Sequence, residues 1–109
     1  MTIAETALER MKTVAPGYYT ERDGGLWYIV VPSHDERLGE EFVNRDHARQ
    51  FVCWLAGDQL PHGWKISPSG TGRIAYDLQI PGQYASATIW ARPCRKYFPA
   101  RAIELPEAT

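Results

Sequence analysis

Apolar residues recur along this chain in two rhythms, a helical one and an alternating one. In residues 2–14, Ala4, Ala7, Leu8 and Met11 fall on one face at helical spacing, and Thr2 with Glu5 has the spacing of a capping box. The pattern predicts an amphipathic helix over 2–14, stopped by Pro16-Gly17. So short a helix needs a docking surface to persist. Residues 18–20 and 26–31 then flank Arg22-Asp23-Gly24-Gly25, a hairpin signal because Asp-Gly-Gly readily supplies positive φ. In the second of these strands both alternating sets are apolar: Leu26, Tyr28 and Val30 on one face, Trp27, Ile29 and Val31 on the other. A strand of this kind is central and covered on both sides, or turns one face to a partner.

Residues 33–41 form a polar, acid-rich loop. A second helix follows, with Asn44 as its N-cap, Asp46 in the first turn, an apolar stripe of Ala48, Phe51, Val52 and Leu55, and Gly57 at its end. After the Pro61-His62-Gly63 turn, residues 64–66 read as a short strand and 67–72 as a Ser/Pro/Gly loop. Residues 73–80 alternate cleanly, with Ile74, Tyr76, Leu78 and Ile80 inward and Arg73, Asp77 and Gln79 outward. The Pro81-Gly82 turn leads into a strand over 84–92. Pairing Gln79 with Tyr84 sets Tyr76 against Ala87 and Ile74 against Ile89, so that every inward pair is apolar. The same register puts Arg73 opposite Trp90 and Asp77 opposite Ser86 on the outer face. Pro93 ends the strand, and 93–109 reads as an irregular C-terminal tail with a short extended piece at 102–105. The order α-β-β-α-(β)-β-β-tail predicts an α+β fold. Its expected form is a two-layer sandwich, with two helices on a four- or five-stranded, mainly antiparallel sheet, and 1–109 as a single domain.

Composition narrows the class. With 44% hydrophobic and 23% charged residues in 109, the chain is an ordinary globular domain with a modest core. Four Trp and six Tyr make it rich in rings that fill cores or interfaces. The longest apolar run, 26–32, falls far short of the ~20 residues needed to span a bilayer. The N-terminal stretch is interrupted by Glu5, Glu9 and Arg10, unlike a secretory leader. A cytoplasmic protein with no membrane partner is expected. Cys53 and Cys94 form no CxxC motif and are too few for a disulfide framework, so reduced, buried thiols are expected.

Charge sharpens the picture more than composition does. The net charge of −1 hides a split: residues 1–58 carry −4 and residues 59–109 carry +3. From 78 to 103 there is no acidic residue. The basic aromatic group, Arg73, Trp90, Arg92, Arg95, Lys96, Tyr97 and Arg101, has the cations and flat rings that nucleic acids and protein hot spots both use. Four cations in the 90–101 segment and an isoelectric point near 6.3 favour a protein partner over nucleic acid. The acidic group, Asp35, Glu36, Glu40 and Glu41, lacks the ligand alternation and glycine of a calcium loop and fits a basic partner better than a metal.

Nothing in the sequence assembles a catalytic set, a metal site or a cofactor site. His34, His47 and His62 stand in no HxxxH or CxxH arrangement, and His47 and Cys53 point to different sides of one helix. Gly24-Gly25 and Gly70-Thr71-Gly72 do not open helices, as a phosphate cradle requires. The leading expectation is therefore a small non-enzymatic inhibitor or regulator that docks on a larger protein or nucleoprotein complex. Anti-CRISPR proteins of phages and mobile elements exemplify that class. A nucleic-acid-binding regulator is the alternative, an enzyme of unfamiliar type the third reading, and homodimer and monomer stand level.

Overall fold

The computed structural model describes residues 6–33, 35–70, 74–83, 86–103 and 105. Helix α1 runs Ala7–Val14. Its N-cap is Thr6, which accepts a hydrogen bond from the Glu9 backbone N–H and donates its own hydroxyl to the Glu9 carboxylate. Thr6 and Glu9 have the spacing of a capping box, though Glu9 here accepts from the Thr6 hydroxyl rather than its backbone N–H; the expected start at Thr2 lies outside the described residues. Strands β1 (Tyr19–Asp23) and β2 (Leu26–Val31) form the expected hairpin, with Asp23 facing Leu26 across Gly24-Gly25. The acid-rich stretch is not all loop. Glu36–Arg37 forms a short strand, β3, that pairs antiparallel with β2 and completes a three-stranded sheet.

Helix α2 (Arg45–Leu55) begins where its cap predicts, the Asn44 side chain accepting from the N–H groups of Asp46 and His47. It ends in a Schellman motif: Asp58 N–H reaches Cys53 C=O while Gly57 N–H reaches Trp54 C=O, and Gly57 adopts the left-handed φ of 121° that this ending requires. Its apolar face is fully buried against α1 and β2. Phe51 sits 5.5 Å from Phe42 and 5.6 Å from Trp54, ring centre to ring centre.

The second sheet orders β4 (Lys65–Pro68), β5 (Ala75–Gln79) and β6 (Ala87–Trp90), all antiparallel. The architecture is α+β, but the single larger sheet expected from the sequence is replaced by these two, and four helices take the place of two. One core joins the sheets, with Ile29, Val31, Leu38, Phe42, Phe51, Leu78 and Ile89 among its buried members.

The β5–β6 register differs from the expected one by two residues. Tyr76 faces Ile89, Leu78 faces Ala87, and Ala75 rather than Arg73 faces Trp90. An even shift keeps every side chain on its face, which is why apolar pairing alone does not distinguish the two registers. The connection between Gln79 and Ala87 takes more residues than a tight turn, with Gln83 N–H bonded to Ile80 C=O inside it. Ile74, expected inward, falls before β5 and is 59% exposed. Arg73, Tyr84 and Ala85 lie outside the described residues.

The irregular tail expected over 93–109 is also corrected. Trp90 ends β6, and α3 (Ala91–Tyr97) and α4 (Pro99–Ala102) follow at once. Pro93 occupies the first turn of α3 and Pro99 the first position of α4, where a missing N–H costs nothing because the first N–H groups of a helix have no partner within it. Proline ends the strand here by starting a helix.

Candidate interaction surface

Trp90 is the centre of the surface. It closes β6 on the outer face, as the alternation predicts, and stays 42% exposed. The acidic stretch is folded against it. Gly39 has a φ of 100°, and a Cβ at that position would stand 3.1 Å from Trp90 Cδ1. Glycine is therefore required twice, for its backbone conformation and for the close approach of the indole.

Glu40 corrects its expected place on an acidic partner-binding surface. It is only 2% exposed, and its Oε1 accepts the Trp90 backbone N–H at 3.2 Å. The other oxygen, Oε2, has no hydrogen-bond partner among the described residues. Burial dominates over the hydrogen bonds from the Glu40 and Trp90 backbones and pushes this carboxyl up to about 8, so it is mostly protonated at neutral pH. Glu40 thus joins two segments of the fold as a neutral group.

The remaining acidic residues have separate contacts. Asp35 accepts from the Tyr19 hydroxyl at 3.3 Å. Glu36 accepts from the Tyr97 hydroxyl and lies 3.8 Å from Lys96 Nζ. Glu41 lines a groove beside Trp90. Glu36 and Glu40 therefore meet the basic aromatic segment at Lys96, Tyr97 and Trp90.

The basic group divides in two. Arg101 is structural: its Nε donates to Trp54 C=O at 2.7 Å and its Nη2 to Asp58 C=O at 2.8 Å, while its guanidinium lies 4.8 Å from the centre of the Trp54 ring. Lys96 leans on the Tyr97 ring and on Glu36. Arg92 and Arg95 instead project beside Trp90, one helical turn apart on α3.

Two grooves meet at Trp90 and Gly39, which line both. The first, about 530 Å³, runs between β6 and the segment leading to α2, with Leu26, Val43 and Thr88 on its walls. The second, about 630 Å³, is walled by Leu38, Ile74 and Pro93, with Arg37, Arg92 and Arg95 and no acidic residue among its described lining. Val43 (61% exposed) and Ile74 place apolar surface on either side of the indole. Sequence reasoning missed Gly39, Val43 and Ile74. Ile74 was hidden by the register. Val43 was legible only as an apolar residue before a helix cap, which ordinarily folds back on the helix.

The two-sided apolar character of β2 finds its cover within the molecule. The strand is central in its sheet, and arginines cover its aromatic residues: Arg37 lies 4.3 Å from the ring centre of Tyr28, and Arg45 4.7 Å from that of Trp27. Glu21 and Asp23 each hold Arg37 at 3.0 Å.

Cys53 and Cys94 are buried free thiols. His47 hydrogen-bonds Gln83 through Nδ1 at 3.3 Å and meets Trp64 edge-on, while His34 lies outside the described residues. Among the described residues, no three His, Cys, Asp or Glu side chains gather as a metal site would need. Among them, too, no helix is long and apolar enough to cross a membrane. In comparisons with known proteins, no family model, no curated protein and no solved structure matches this chain.

Proposed function

We propose that this chain is a small binding protein, an inhibitor or regulator without chemistry of its own, that docks on a larger protein through the surface around Trp90. The observation that carries the reading is a half-exposed indole, backed by Gly39 and Glu40, standing between two grooves with arginines at one side. Tryptophan and arginine dominate protein interface hot spots, and a ring fixed before binding loses little entropy on docking.

The nucleic-acid alternative draws on the same residues, but Arg101 is committed to Trp54 and Asp58, and Lys96 leans toward Glu36. Two arginines beside one ring make few phosphate contacts. The test is capture from a native-host lysate, before and after nuclease, on immobilised wild type, Trp90→Ala and Arg92→Glu. We expect one protein complex to be retained through nuclease on the wild type and lost on both variants. Equal capture by all three chains would overturn the reading, as would capture that nuclease abolishes.

A further inference from the structure

We infer that the occupant of this surface is an extended, acidic segment of the partner protein, added as a strand along the open edge of β6, with an apolar side chain against Trp90 and carboxylates toward Arg92 and Arg95. The inference rests on the docking reading above and specifies its chemistry. It begins with the ladder. Among the described residues, β6 has one neighbour in its sheet, β5. Ala91 N–H turns toward β5 and bonds Ile74 C=O, whereas Trp90 N–H turns the other way and bonds Glu40. Backbone groups alternate sides along an antiparallel strand, so the N–H and C=O of Thr88 point with those of Trp90, away from β5 and toward the first groove. At Trp90 a side chain of the same molecule already accepts the edge hydrogen bond. At Thr88 no described side chain takes that place, and the first groove lies alongside.

The side chains then choose among possible strands. A strand laid past Thr88 toward α3 crosses the indole between Val43 and Ile74, which calls for an apolar side chain. It then enters the second groove, whose described lining carries three arginines and no acid. Glu21 and Asp23 offset the charge of Arg37, and α3 adds the guanidinium of Arg92 to the groove. Carboxylates complement it. A second copy of this chain is a poor match for the edge: its own β6 lies within residues 78–103, which bring no acidic side chain. Strand addition supplies affinity through the main chain, and the flanking pockets supply selectivity.

The test uses the full chain and three fluorescein-labelled probes. These are a short peptide in which Glu alternates with Leu and Phe, its Lys-for-Glu counterpart, and an oligothymidylate of equal length. We expect the acidic peptide alone to bind, more weakly as salt rises, with about tenfold or greater loss in Trp90→Ala and in Arg92→Glu. Thr88→Pro removes the edge donor and no ladder bond, and is expected to weaken binding by about tenfold with unchanged circular dichroism. Hydrogen exchange in the wild type makes the test independent of that variant: protection of the Thr88 N–H rises when the acidic peptide is added. Unchanged protection, equal binding of the lysine peptide or the oligonucleotide, or insensitivity to Arg92→Glu would overturn the inference. A dimer in light scattering that Thr88→Pro dissociates would overturn it as well, by giving the edge to a second copy. Trp90-dependent capture of a protein from lysate without acidic-peptide binding would sink this inference and leave the docking reading standing; failure of both would remove both.

Discussion

At the scale of single residues, Glu40 carries the most specific consequence. Folding raises its carboxyl from the ordinary 4.5 to about 8, chiefly by burial. Between those two values the native chain holds a proton that the unfolded chain releases. Its contribution to stability is therefore greatest below the lower value, falls by about 1.4 kcal/mol per pH unit through the window, and levels off above the upper one. Glu40→Gln keeps an oxygen for the Trp90 N–H and removes the ionisation. Chemical denaturation at pH 5, 6.5 and 8 is expected to show the variant gaining on the wild type at each step (from about the value where the unfolded carboxyl loses its proton). Parallel pH profiles for the two chains would refute the assignment. Glu40 stood in the sequence as one of four acids in a polar loop, and nothing in its neighbours marked it as buried. The partner that buries it, the Trp90 backbone, lies 50 residues away.

At the scale of elements, what could be read locally was read well. The β1–β2 hairpin and α2 follow from turn chemistry, a cap and an apolar stripe, all written within a few residues of where they act. Asn44 is the clearest case, with two backbone N–H groups held by one side chain. Asn44→Ala is expected to cost about 1 kcal/mol in thermal or urea unfolding, and a loss below ~0.3 kcal/mol would show the cap to be redundant. Non-local features were harder to read. The β5–β6 register slid by two because both alignments pair apolar with apolar, and only the length of the connection between the strands separates them. Helices α3 and α4 were missed because a proline after a strand is compatible with both a stop and a first helical turn. The candidate surface shared this fate. Trp90, Arg92 and Arg95 were visible as a basic aromatic run, whereas Gly39, Val43 and Ile74 join them only once the two sheets meet.

At the scale of the whole molecule, α1 and α4 converge on the end of α2. Arg10 of α1 grips the Asp58 carboxylate through Nε and Nη2, both at 2.8 Å. From the other side, Arg101 of α4 takes the carbonyls of Trp54 and Asp58. Trp54 C=O, which also accepts Gly57 N–H, lies in the closing turn of α2 and Asp58 just beyond it, so a cation there also suits the helix dipole. Arg101→Ala is expected to destabilise the fold by about 2 kcal/mol, more than a solvated arginine would. A change within ~0.5 kcal/mol would mean that water replaces the guanidinium without loss.

The two cysteines turn this convergence into something measurable without a partner. Cys53 faces α1, its Sγ 4.0 Å from Ala7 C=O, and Cys94 is buried in α3 with its thiol pushed up to about 11, chiefly by burial. Burial shields both sulfurs from a reagent while the fold is closed, and Cys94 also holds its proton. An alkylating agent under native conditions therefore modifies each only when its own seam parts. Mass spectrometry of the two peptides gives one opening rate for the α1–α2 seam and another for the seam beneath Trp90. Weakening the Arg101 anchor is expected to speed alkylation of Cys94 more than that of Cys53, and equal acceleration would mean that the chain opens as one unit.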